Sequence, residues 1–230
     1  MATYLSLQNR DILFNLCQYG NEKPWTWAPG LGISSWRIGG DLNHHVENYF
    51  KNALRISTEL RAYSKPGQWN DPDFMYIQKL RDFRKMVNPS QEILLSTNQR
   101  YQYVTLWSIV CAPFFFSSDI NEIDEFTIRL LTNAEVMNIN QDELGHVAET
   151  IKNENDEVIM LKKLADGSKV LAVFNTNAID EKVIDVNLKT IGLSKRIDVY
   201  DVWKQENLST VTDKMSIQLS PNGVGLFIVR

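Results

Sequence analysis

Residues 34–63, SSWRIGGDLNHHVENYFKNALRISTELRAY, decide the fold. A short run, SSWRI, breaks at Gly39-Gly40, and beyond it Val46, Phe50, Ala53, Leu54 and Leu60 recur at the three-to-four-residue intervals of an amphipathic helix spanning Val46 to Tyr63. The stretch therefore reads as a strand, a glycine-rich loop and a helix. Upstream, DILFNL (Asp11 to Leu16) reads as another strand, with an exit loop rich in Gly, Pro and Trp that lasts to Ser34. Downstream, DFMYI (Asp73 to Ile77) predicts a third strand and Asn98 to Val110 a helix capped by Ser96 or Thr97. Pro113 stops that helix before FFFSSD, and a further helix runs from about Asp124 to Met137. Strands that alternate with helices run parallel, because tight turns cannot join parallel neighbours.

Around Gln141 the texture changes. EVIMLKKL, SKVLAVFNT, KVIDVNL, RIDVYDVW, MSIQLS and GVGLFIVR follow one another between turn residues, and Asp166-Gly167 is a hairpin signal. The fold class is thus α/β plus all-β: a parallel strand–helix part over residues 1–145, then an antiparallel sandwich over 146–230. The first part holds about four strand–helix units, half of what a closed eight-stranded barrel needs.

Composition narrows the function. The 230 residues are 43% hydrophobic and 23% charged with a formal net charge of −4, and the lysines are scattered, so no nucleic acid or anionic membrane surface is an expected partner. No apolar run approaches the roughly 20 residues of a membrane span, and MATYLSLQNRD is unlike a signal peptide. Cys17, Cys111 and three scattered histidines lack zinc spacing, so neither metal nor other cofactor is expected.

The unusual residues cluster just after the strands: Cys17-Gln18-Tyr19-Gly20, Arg37 to Asp41, WNDPD (Trp69 to Asp73) and Ser117-Ser118-Asp119. Parallel sheets bind ligands at the carboxyl ends of their strands, so these residues are candidates for one common mouth. Aromatic rings, carboxylates and an arginine suit a sugar: rings cover its C–H face, polar groups bond its hydroxyls, and glycosidic cleavage uses two carboxyl groups. Composition alone also allows Trp36, Trp69 and Tyr19 to be core residues, and Asp71 and Asp73 to bond within a turn around Pro72. Asn43 to His45 are expected to open a helix. Gly39 and Gly40 let backbone approach a ligand beside Asp41 and Arg37.

NLCQYG, PWTWAPGLGISSWRIGGDL, GQWNDPDFM, LWSIVCAPFFFSSDI and NINQDELG, in this order, resemble the retaining alpha-galactosidase and alpha-N-acetylgalactosaminidase family of clan D glycoside hydrolases (family 27-like). The resemblance runs from about Asp11 to the C-terminus. It implies the C-terminal half of a (β/α)8 TIM barrel, from the fifth strand to the eighth, followed by the sandwich, and a terminal alpha-galactoside or related sugar as substrate. By the same resemblance Asp41 matches the general acid/base, which protonates the leaving oxygen and then takes a proton from water. Arg37 matches a sugar-binding arginine. Cys17, Gln18, Tyr19, Trp36 and Phe74 fall at or beside substrate-binding positions, with Tyr19 where many relatives have Trp and Phe74 where they commonly have Met. Asp71 and Asp73 match structural residues near the site.

One expected part is missing. The family's nucleophile lies in a block resembling KYDNC or KFDGC after the fourth strand, and this sequence has none. A retaining enzyme needs that carboxylate about 5 to 5.5 Å from the acid/base. The usual disulfide partner of Cys17 would lie in the same block, so the resemblance leaves Cys17 a free thiol. The expectation is a C-terminal fragment, inactive alone, that associates with an N-terminal half-barrel or with itself through exposed strand edges. Any targeting signal would lie upstream of Met1, the family being commonly secreted, periplasmic or lysosomal. The alternatives are a non-catalytic sugar-binding protein keeping Tyr19, Trp36, Arg37 and Asp41, or a structural interaction module.

Overall fold

A computed structural model describes residues 1–42, 46–77, 79–81, 92–117, 120–193 and 196–230. The expected helix start at Asn43 to His45, and Ser118 and Asp119, lie outside the described residues. After a short helix α1 (Ala2–Ser6), three strands form a parallel sheet in the order β1 (Asn15–Leu16), β2 (Ser35–Arg37), β3 (Trp69–Asp71). A single parallel bridge, Met75 to Phe116, adds a fourth chain segment, with Met75 N–H donating to Phe115 O at 2.6 Å. The strand expected at Asp73 to Ile77 is corrected to Trp69–Asp71. Pro72 has no N–H to offer a ladder, and Asp73 takes φ 109°, which turns the chain out of the sheet before Met75 pairs with Phe116.

Helix α2 (Val46–Arg55) continues through a wider turn at Ile56–Leu60 and a tighter one at Arg61–Tyr63, so the helical path covers the expected span. Tyr49, Ala53, Ile56 and Leu60, at spacings of four, three and four, form its buried stripe. A two-stranded antiparallel pair follows, β4 (Lys79–Arg81) with β5 (Glu92–Leu94). Helix α3 (Thr97–Ile109) begins at a capping box, where the Ser96 hydroxyl accepts Gln99 N–H and Gln99 reaches back to Ser96 N–H. The single helix expected over Asp124 to Met137 is two, α4 (Glu125–Leu131) and α5 (Ala134–Asn140). Asn133 accepts Val136 N–H at 3.1 Å and starts a new helix there.

The sandwich contains a six-stranded sheet ordered β11-β10-β13-β8-β7-β6, with β6 (Glu149–Glu154), β7 (Glu157–Lys163), β8 (Lys169–Asn175), β10 (Arg196–Asp201), β11 (Glu206–Thr212) and β13 (Val224–Val229). Against it packs the pair β9 (Lys182–Asn187) and β12 (Lys214–Leu219). Strands β9 and β12 alternate exposed and buried residues. Strands β8 and β13 are buried almost throughout, because Leu171, Val173 and Phe227 face the pair while Val170, Ala172, Phe174, Leu226 and Ile228 join the core of the parallel part.

Helix α3 is the wedge between the two parts, with Gln102 to Ile109 buried without interruption. Gln102 accepts from Tyr49 Oη at 2.8 Å and donates to Asn175 O at 3.1 Å, and Trp203 Nε1 donates to Thr105 Oγ1 at 3.0 Å. The first bond ties α3 to α2, and the other two cross from the parallel part to the sandwich.

Candidate functional site

Alternation along the strands sorts side chains onto two faces. Asn15, Ser35, Arg37 and Asp71 share one: Asn15 Nδ2 donates to Ser35 Oγ at 2.8 Å and to Asp71 Oδ2 at 2.9 Å. Trp36 and Asn70 occupy the other, where Trp36 Nε1 donates to Asn70 Oδ1 at 2.9 Å and Asn70 anchors Leu60 O and Ser64 Oγ. The expectation that Trp36 contacts sugar is therefore corrected: it is fully buried, facing away from Arg37, beneath the helical segment that ends at Leu60.

Arg37 is the centre of the site. Its side chain is 5% exposed; Nη1 lies 2.8 Å from Asp73 Oδ1, and Nη2 lies 3.1 Å from Asp41 Oδ1 and 3.3 Å from Gly39 O. Cys17 Sγ is 3.9 Å from Nη1, and the Tyr19 ring lies 5.7 Å from the guanidinium carbon. Asp73 is 1% exposed and fixed twice more, accepting Leu42 N–H at 2.7 Å and donating its own N–H to Asp71 Oδ1 at 2.9 Å. Asp41 is 45% exposed. The arginine thus ties an accessible carboxylate to a buried one.

The turn that carries Asp73 is itself held from outside: Asn52 on α2 donates to Pro72 O at 3.1 Å, and Tyr103 on α3 donates to Phe74 O at 3.1 Å. Opposite, Gly20 at φ +75° presses on the exit of β2, where a Cβ would stand 2.3 Å from Ile38 O. Only glycine lets the Cys17–Tyr19 loop lie this close to the Arg37–Asp41 loop.

Electrostatics follow burial and pairing. Burial opposes the charge on Arg37, but Asp73, then Asp41 and Asp71, outweigh it and hold its pKa above the ordinary value. Burial raises the pKa of Asp73 against the N–H groups of Leu42 and Phe74 and the charge of Arg37. Asp71 is raised for the same first reason, against bonds from Asn15 and from Asp73 N–H. The Tyr76 phenol is pushed up to about 12 by burial and then by the negative charges of Asp73 and Asp41, which keeps it protonated.

Of the residues singled out in the sequence, Cys17, Tyr19, Arg37, Asp41 and Asp73 come together, with Asp71 one bond behind. Phe74 is 43% exposed beside the site, its ring 6.1 Å from Phe115 and 6.5 Å from Tyr76. Gln18 is half-buried, and its carbonyl closes a turn by accepting Asn21 N–H at 3.0 Å. Two participants were missed. Asn15 was hidden inside an apolar run, where a lone polar residue was the available signal, and Tyr76 was absorbed into a strand that does not form. Both cysteines are free thiols, and among the described residues no three His, Cys, Asp or Glu gather as metal ligands.

Comparison with known proteins finds relatives for both parts of the chain. Residues 34–142 match the family described as alpha galactosidase A, and residues 154–229 match the alpha galactosidase C-terminal beta sandwich domain. An alpha-galactosidase of Cyamopsis tetragonoloba is 26% identical over 231 residues, covering 100% of this chain and 52% of that protein. Alpha-galactosidase D of Emericella nidulans is 30% identical, covering 98% of this chain and 32% of its own length. Among solved structures, alpha-galactosidase I of Mortierella vinacea superposes with a TM-score of 0.82 at 22% identity, over 100% of this chain and 61% of that one. A family 27 β-L-arabinopyranosidase of Geobacillus stearothermophilus gives 0.84 at 24%, over 99% and 52%. The chain spans about half the length of the Cyamopsis relative. With a partial (β/α)8 barrel leading into an antiparallel sandwich, and both matched in order, the chain belongs to the alpha-galactosidase family, glycoside hydrolase family 27, and corresponds to its C-terminal portion.

Proposed function

We propose that this chain supplies the acid/base side of a retaining exo-glycosidase site for terminal alpha-galactosides, with Asp41 as the proton-transferring residue. The observation that carries the reading is the Arg37 fork: a solvent-accessible Asp41 is held at the carboxyl end of a parallel strand by a buried arginine that a second, buried carboxylate fixes in place. Such a group is positioned to protonate a leaving oxygen and then to take a proton from water. Tyr19, beside Arg37, and Phe74, next to Asp73 in the chain, expose aromatic surface suited to the C–H face of a pyranose. The second carboxylate of a double displacement is not among the 230 residues in the family's block. The nucleophile would come from the N-terminal half of the barrel.

The test is hydrolysis of p-nitrophenyl alpha-galactoside by the purified chain, alone and mixed with the N-terminal half of a family relative. The matching β-L-arabinopyranoside, whose ring lacks the exocyclic hydroxymethyl group, serves as a second substrate. Turnover is expected only in the mixture, and Asp41→Asn should lower it by about 100-fold or more. Enzyme-like hydrolysis by the chain alone would refute the missing-nucleophile part, and an unaffected Asp41→Asn mixture would refute the role of Asp41.

A further inference from the structure

A pair of reactive side chains lies away from the sugar site, buried where the parallel part meets the sandwich. Lys162 on β7 is 0% exposed, an unusual place for an ammonium group. Its Nζ is saturated by three contacts: Ile139 O at the end of α5, Ser108 O at 3.5 Å in α3, and Cys111 Sγ at 3.1 Å. Cys111 follows α3 at φ 54°, 4% exposed, and its thiol donates to His146 O at 3.3 Å. With its hydrogen turned toward that carbonyl, the sulfur presents its lone pairs to the amine. Cys111, though not Lys162, also lines a cavity of about 510 Å³ with Leu13, Ser35, Trp69, Phe115 and Asn140, which offers a small oxidant a route to the sulfur.

We propose that Cys111 and Lys162 are an oxidative modification site, at which a hydroperoxide converts the contact into a covalent sulfur–nitrogen cross-link. In the first step the Cys111 thiol gives up its proton to solvent and the thiolate attacks the outer oxygen of the O–O bond. That bond breaks, sulfur is oxidised by two electrons to the sulfenic acid, and the departing alkoxide or hydroxide takes a proton from the Lys162 ammonium. In the second step the freed amine attacks sulfur, the S–N bond forms, and hydroxide leaves carrying the amine's proton as water. The sum is thiol plus ammonium plus hydroperoxide giving sulfenamide, alcohol (or water), water and one proton released to solvent. Burial holds the Cys111 thiol above its ordinary range while Lys162 pulls the other way without cancelling it, so the reaction belongs to sustained exposure. The product joins residues 51 positions apart and fastens the sandwich to the end of α3.

The test is hydrogen peroxide treatment of the folded chain, digestion without reductant, and mass spectrometry. The expected product is the Cys111 peptide joined to the Lys162 peptide, lighter than their sum by two hydrogens, released by dithiothreitol, and absent when the chain is treated in urea. Exposed Cys17 gauges the oxidation. Three results would each overturn the proposal: Cys111 still unmodified after Cys17 is fully oxidised, Cys111 recovered only as sulfinic or sulfonic acid, or a linked product carrying an extra oxygen. Lys162→Arg, confirmed folded by circular dichroism, should leave Cys111 oxidisable but unlinked.

Discussion

Arg37 and Asp73 form a buried pair in which neither charge has water to fall back on. Removing the carboxylate strands the guanidinium, so Asp73→Ala should cost about 3–5 kcal/mol, whereas Asp41→Ala at the exposed end should cost no more than about 1 kcal/mol. Urea midpoints at an unchanged denaturant slope will read the contrast; equal losses would mean that Arg37 is not anchored as described. Asp71 and Asp73 also set a pH dependence. Burial raises both above the ordinary carboxylate value, so in the window above about pH 4 the unfolded chain has ionised them while the folded one retains more protons. Their contribution therefore weakens stability as pH rises through the folded values and is relieved on acidification; Asp71→Asn should flatten that part of the stability–pH curve measured by urea unfolding. The polar side chains after each strand were legible in the sequence because no core needs them there. The placing of Trp36 failed against a rule the sequence also contained: neighbours in a strand cannot share a face, and Arg37 had already claimed the inner one.

At the scale of elements, caps and buried stripes decide the boundaries. Ser96 and Gln99 satisfy each other's backbone groups at the start of α3, and Ser96→Ala should cost about 1 kcal/mol in thermal or urea unfolding. The path over 46–63 was legible because its apolar spacing persists even where the helix widens and then tightens. The break at Asn133 was not, since one side-chain bond to Val136 N–H interrupts an otherwise continuous pattern. Strands β6 and β11 escaped notice for a related reason. ETIKNE and ENLSTVT lie at the two edges of the large sheet, mostly exposed, so no buried face imprinted an apolar alternation on them.

For the whole molecule, the six-stranded sheet takes part in two cores, one toward β9 and β12 and one toward α3 and the parallel part. Separating residues 146–230 from the rest would bare Val158, Met160, Val170, Phe174, Leu226 and Ile228 together. That piece should bind a hydrophobic dye strongly and self-associate in light scattering, while the 230-residue chain should not show the same dye response; a monomeric, dye-silent piece would contradict the shared-core description. The same double duty governs how freely the sequence can vary. In β9 and β12 every second position looks outward and can accept a new charge. In β8 and β13 almost every position is spoken for on one side or the other, so a library of random substitutions should tolerate polar residues in the outer pair and reject them along nearly the full length of the two central strands.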